Sequence, residues 1–494
     1  MIQMCRMKNI VGILLCLFVS TFFSKSMAQD YVVVARQKLK TDTDWVKVIS
    51  FLQEKHNAPV FYYRNSPFEI LDSLKLYNPR YVAFVEEPKQ VDRELVMLLR
   101  RMSRQVDEDI YSDYIWGIIT GYDAKAALKL VNNGVQSLKI KSAVSTIAEL
   151  RAAKWFDRFA WIDDHQDGLC GEKRSIKDSV ITYMISPDES LQKFYDFYKE
   201  YDPDFIVTSG HATERNLEMP FSHGNIKSKN GLLYAAFPEG KEYLVESGKR
   251  RVFLGAGNCL LGNVRKNPNS MAIACLGSGN AAAMVGYVVT SWYGRVGWGT
   301  LKYWLFNPGR YTLAEAVFLN EQDMLFQMNH WNPNFNQVNF PYAQSDAQIR
   351  GEMKKAVATI QNQLGIENPT KDQIGFLYDR DVLAYYGDPK ADIRLQKIPK
   401  EEEYKVDFKV KGEKCVIKIR TQKNFNINHL KGEQFKQEHV GNLPFSYFFP
   451  ERLKSPRLVS KCLGDILINE DFMLIYKPDF KPQKTYKVVL ELGS

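Results

Sequence analysis

Phe205-Ile206-Val207-Thr208-Ser209-Gly210-His211 and Arg251-Val252-Phe253-Leu254-Gly255-Ala256-Gly257-Asn258-Cys259 are the stretches that decide how this chain folds. Each is a short apolar run that passes through glycine to a side chain able to do chemistry. Open α/β sheets place reactive groups just beyond the carboxyl ends of buried strands. The separation of 48 positions from His211 to Cys259 leaves room for a crossover or hairpin and a neighbouring strand, so imidazole and thiol can meet above adjacent strand ends. The pattern predicts a Cys/His nucleophile pair.

Outward from that pair, β-branched runs alternate with amphipathic segments. Tyr31 to Ala35, Pro59 to Tyr63 and Tyr81 to Val85 read as strands, and Asp44 to Glu54 and Arg93 to Met102 as helices. Val180 to Ile185 reads as a strand, Leu191 to Tyr198 as a helix, and Leu232 to Phe237 as a further strand. This alternation predicts an α/β fold, a mainly parallel sheet with helices on both faces. Beyond a charged linker at Pro399 to Glu403, the runs Tyr404 to Val410, Cys415 to Arg420 and Tyr486 to Leu492 alternate in twos between prolines. About 90 residues of short strands predict a small immunoglobulin-like β-sandwich. The expected organisation is a leader at 1–28, an N-terminal α/β subdomain at 29–135, a second and catalytic α/β subdomain at 136–397, and the sandwich at 398–494.

Arg6 and Lys8 precede an apolar stretch, Ile10 to Phe23, and Ser26-Met27-Ala28 supplies small residues before Gln29. This is the pattern of a cleaved signal peptide, so the mature chain is expected to be exported, to the periplasm, the cell surface or the medium. No other run approaches the roughly 18 to 20 apolar residues of a spanning helix, and no integral membrane segment is expected. Loss of the leader lowers the formal charge from +9 to +6, because it carries no acid. The basic residues are dispersed, so nucleic acid is not an expected partner. Five cysteines remain, Cys170, Cys259, Cys275, Cys415 and Cys462; an odd number leaves at least one thiol unpaired or shared between molecules.

The residues around Cys259 suit a thiol nucleophile. Gly255, Gly257 and Gly262 permit tight turns and the approach of a substrate backbone. Lys249, Arg250, Arg251, Arg265 and Lys266 lie within ten residues of it, and positive surroundings favour a thiolate. The N–H groups of Ala212 and Cys259 are candidate oxyanion donors. His223-Gly224 is a rival pair, but it follows a polar loop and no strand. Gly277-Ser278-Gly279 fits a loose dinucleotide fingerprint, yet no acid follows at the distance a ribose contact needs. Zinc ligand spacing is absent. Asp163, Asp164, His165 and Asp167 crowd together and could hold calcium as a structural ion, or form a solvated acidic loop.

Gly210-His211 after a strand, with a strand and cysteine about 50 residues later, resembles the gingipain-like branch of the caspase-fold cysteine peptidases. Asp109 to Gly117, Ala281 to Trp292 and Leu383 to Pro389 are similar to further motifs of that family. The resemblance implies a cysteine peptidase acting on protein or peptide substrates without a required cofactor. It implies Cys259 as nucleophile, His211 as base, Asp113 as the acid that orients His211, and Ser291 and Trp292 in the substrate pocket. It equally admits a sortase-like transpeptidase or a non-catalytic binding or assembly protein. Ala212, Asn258 and Ile118 depart from the family pattern, which has glycine, a small residue and arginine at those places.

Overall fold

The computed structural model describes residues 30–147, 156–342, 349–397, 402–430, 443–461 and 463–493. The leader, most of the proposed linker and Cys462 lie outside them. The dominant apolar runs form one twelve-stranded sheet. Across it lie, in order, Val60–Tyr63, Tyr31–Arg36, Tyr81–Val85, Ile115–Ile119, Leu383–Tyr386, Ala281–Tyr287, Arg251–Gly255, Phe205–Thr208, Ser142–Ser145, Arg158–Ile162, Leu169–Lys173 and Ile181–Met184. Most neighbouring pairs are parallel. Leu383–Tyr386 runs antiparallel to Ala281–Tyr287 and makes one parallel bridge, Tyr386 with Ile118, to Ile115–Ile119. The last three strands by order form an antiparallel edge.

Every residue of Tyr81–Val85, Ile115–Ile119, Phe205–Thr208, Arg251–Gly255 and Ala281–Tyr287 is buried. Strands without alternation are covered on both faces, as a helix-flanked parallel sheet requires. The helices start where the sequence caps them. Asp42 accepts from the N–H groups of Asp44 and Trp45 ahead of Thr43–His56, and Asp92 from Leu95 ahead of Arg93–Met102, which satisfies donors a helix start leaves free. The sheet is continuous across residue 135, and residues on both sides of that position contribute to one core.

The 42 residues between Thr208 and Arg251 hold the largest departure from expectation. Ala212–Thr213, Asn216–Glu218, Asn225–Lys229, Leu232–Ala236 and Glu242–Val245 form their own antiparallel five-stranded sheet. Leu232–Ala236 therefore belongs to this meander and does not join the main sheet.

Near the C-terminus two antiparallel sheets, of four and three strands, enclose a second core built on Cys415, Ile417, Ile419, Met473, Ile475 and Val488. In the three-stranded sheet, Phe472 and Leu474 face the other way and join the main core. Phe318, on helix Leu313–Trp331, meets Phe472 edge-on at 5.7 Å. Arg80 bridges to Asp471 at 3.1 Å and donates to Phe449 O at 2.6 Å. The C-terminal sheets are thus docked on the α/β body through buried apolar and charged contacts.

Candidate functional site

The histidine and cysteine strands are adjacent and parallel, in the register Phe205 with Val252 through Thr208 with Gly255. Three residues past Thr208 stands His211, exposed; four past Gly255 stands Cys259, partly buried. The two strands are neighbours in the sheet, as the spacing predicted. Ala256 N donates to Thr208 O at 2.8 Å and extends the ladder by one residue. Beyond it, Asn258 accepts from the Thr208 hydroxyl at 2.6 Å and donates to Gly210 O at 3.0 Å.

Two glycines explain how the cysteine loop fits. A Cβ on Gly257 would stand 2.5 Å from Ser209 Oγ, and one on Gly262 would stand 2.3 Å from Gly286 O. These glycines admit the protein's own chain, not a substrate backbone as their spacing suggested. Leu260 takes the left-handed conformation, φ 58°, directly after Cys259. Such a conformation costs on the order of 1–3 kcal/mol for a side-chain-bearing residue, and here the Leu260 N–H bond to Val289 O at 3.0 Å holds it.

The Cys259 thiol donates to Ser291 O at 3.6 Å. Burial pushes the thiol up, against smaller opposing effects of hydrogen bonding. Each base expected to surround the thiol is engaged with another partner, and none is among the causes that shift the thiol. Lys249 pairs with Asp204, Arg251 with Asp202, Arg265 with Glu214 and Lys266 with Asp92. Arg250 donates to the carbonyls of Asn133 and Gln136. Nearness in sequence did not become nearness of charge.

Ala212 pairs with Leu217 one position from the bond that Glu218 N makes to His211 O. Antiparallel ladders alternate, so the Ala212 N–H points away from that neighbouring strand. Ser291 touches the thiol through its carbonyl, and Trp292 is half-buried beside it, 5.7 Å from the Tyr293 ring. Tyr378, on helix Lys371–Asp379, donates to Thr290 O at 2.9 Å and backs the same segment. That support was not read from sequence, since residue 378 lies 119 positions beyond the cysteine. His223 is exposed in the turn between Asn216–Glu218 and Asn225–Lys229, strands of the five-stranded sheet and not of the main one.

Asp113 is not placed to orient His211. Its carboxylate accepts from Val106 N at 2.9 Å, and the strand it leads into, Ile115–Ile119, lies four places from Phe205–Thr208 in the sheet. Four spacings of about 4.8 Å put roughly 19 Å between those strands. Its neighbours are acids: Asp107, Asp109 and Asp113 bring ligand atoms within 4.8 Å of one another. Hard cations take such donors. The crowded turn at 163–167 serves itself instead, with Asp163 accepting from His165 N and Gln166 N.

Burial first, then the neighbouring Asp107, raises the Asp113 carboxyl to about 8. Unfolded, it returns to about 4, so the native state holds the extra proton and stability falls as pH rises from about 4 to about 8. Asp113→Asn is expected to flatten that fall and raise Tm at pH 8 by about 2 °C or more. Thermal unfolding of both proteins across that range, in chelator-treated buffer, checks it.

Cys170, Cys259, Cys275 and Cys415 are all free thiols. Cys275 lines an apolar cavity of about 30 Å³ behind the two strands, and burial pushes its thiol far up. Cys259 is the partly exposed one of the four. Among the described residues no helix is long and apolar enough to cross a membrane.

No family model matches the sequence, and no curated protein matches it. Solved structures with a similar course of chain include the Arg-specific cysteine proteinase gingipain R, at 9% identity over 95% of this chain and 93% of that one, TM-score 0.38. The complex of Porphyromonas gingivalis RgpB pro- and mature domains matches at 9% identity over 94% and 93%, TM-score 0.38. A structure described as a protease matches at 11% over 79% and 84%, TM-score 0.38.

Proposed function

We propose that this chain is an exported cysteine endopeptidase of the gingipain-like kind, with Cys259 as nucleophile and His211 as base. The observation that supports the reading is the register of the two parallel strands, Thr208 opposite Gly255, since parallel neighbours end at the same edge of the sheet. In the proposed cycle the thiol leaves Ser291 O and His211 takes its proton. The thiolate attacks a peptide carbonyl, His211 returns the proton to the leaving amine, and water resolves the acyl-enzyme. The N–H groups of Ala212 and Cys259 are the proposed oxyanion donors, and Ser291 and Trp292 border the proposed substrate pocket. The substrate is a protein or peptide; neither nucleic acid nor a resident cofactor has a part in it.

A non-catalytic reading has one observation in its favour, the resting thiol that bonds to Ser291 O and whose pKa burial raises. A peptide library incubated with wild type and with Cys259→Ala separates the readings. Cleavage products that need Cys259 support the peptidase, joined peptides a transpeptidase, and no Cys259-dependent product a binding protein.

A further inference from the structure

We propose that Asn258 is a positioning residue for His211, an inference that rests on the reading of Cys259 and His211 as nucleophile and base. Asn258 has no exposed surface and precedes the cysteine. Its side chain reaches back across the strand pair and joins both ends of the histidine approach, the Thr208 hydroxyl at 2.6 Å and Gly210 O at 3.0 Å. The amide orientation follows from its partners. A carbonyl oxygen can only accept, so the nitrogen faces Gly210 and the oxygen faces the hydroxyl of Thr208.

Packing does not do this work at Gly210. Its φ is 124°, and among the described residues nothing lies within 4 Å of where a Cβ would stand. The residue before it is held separately, because Ser209 N donates to Thr146 Oγ1 and Thr146 Oγ1 to Ser209 O, both at 3.1 Å. The backbone that launches His211 is therefore held on its near side by a hydrogen bond from the residue adjacent to the nucleophile, and on its far side by Glu218 N, which donates to His211 O at 3.1 Å. Asn258 ties the geometry of the base to that of the thiol, so that neither loop moves alone. A displacement of about 1 Å in such an arrangement can cost roughly 100-fold in rate.

The test compares wild type, Asn258→Asp, Thr208→Val and His211→Ala as full-length mature protein. Each is followed by thermal unfolding, by kcat and KM on a cleaved peptide, and by the pH dependence of Cys259 alkylation. Asn258→Asp keeps the acceptor for Thr208 and loses the donor to Gly210 O when ionised. It is expected to lower kcat about 100-fold with KM within about threefold, and to move the alkylation profile toward that of His211→Ala. Thr208→Val, which removes one bond and adds no charge, is expected to lower kcat about tenfold; it decides the matter if the aspartate variant fails to fold. Both variants within about twofold of wild type, while His211→Ala is inactive, would overturn the role of Asn258 and leave the dyad standing. A His211→Ala profile identical to wild type would overturn the dyad, and the positioning role with it.

Discussion

Cys259→Ala is expected to lower peptide turnover by about 10⁴-fold or more, with KM and Tm close to wild type. The size of the effect follows from what the variant removes. Among the described residues no other thiol replaces this one, since Cys170, Cys275 and Cys415 are buried. Without the acyl-enzyme, water must attack the amide directly, and only the oxyanion donors and binding remain to help it. The fold has little stake in the sulfur, because its hydrogen bond to Ser291 O is long at 3.6 Å. Steady-state kinetics with a matched unfolding curve distinguishes this from collapse. A variant that retains a tenth of wild-type turnover, free of contaminating enzyme, contradicts the nucleophile assignment.

The largest expected effect on stability lies far from that site. Asp388 has no exposed surface and accepts from Tyr31 OH at 2.9 Å, Lys390 N at 3.0 Å and Lys55 Nζ at 2.6 Å, with His56 Nε2 at 2.8 Å. Tyr31 also stacks on the His56 ring at 3.9 Å. The carboxylate thus joins the first strand, the end of the first helix and the last turn of the α/β body. Asp388→Ala leaves two nearly buried cationic or polar groups without their counter-charge, and is expected to cost about 3–5 kcal/mol. His56 and Lys55 hold the carboxyl well below the usual carboxylate range, against the effect of burial. A depressed carboxyl contributes its stability above the unfolded value of about 4 and loses it as pH falls below that. Wild type should therefore lose stability more steeply than Asp388→Ala in acid. Denaturant unfolding at pH 7 and at pH 3.5 checks both the size and the sign; a loss under about 1 kcal/mol at pH 7 would remove the network from the account.

How much of this is legible in the sequence depends on whether the information is local. Phe205–Thr208 and Arg251–Gly255 were readable because buried parallel strands are nearly continuous apolar runs. Arg93–Met102 was readable to the residue from its amphipathic period. The antiparallel sheet between histidine and cysteine was hidden, since strands such as Asn225–Lys229 carry only one buried residue each and resemble polar loop. Charge was misread for a related reason. Five basic residues near Cys259 promised a thiolate, but their partners, such as Asp92 and Asp202, come from other parts of the chain. Asp113 was misplaced because adjacency to a glycine-bearing strand says nothing about which strand lies beside it in the sheet. The bond between Tyr31 and Asp388 spans 357 residues, and no local pattern announces it.

The central claim is that one thiol of this chain, assisted by one imidazole, forms a covalent acyl-enzyme. A peptidyl acylating probe followed by peptide mapping of the adduct tests it most directly, in wild type and in His211→Ala. The account predicts an adduct on Cys259 alone, forming at least about 100-fold faster in wild type than without the imidazole. Label shared equally with Cys275, or a Cys259 adduct that forms at the same rate in His211→Ala, would contradict it.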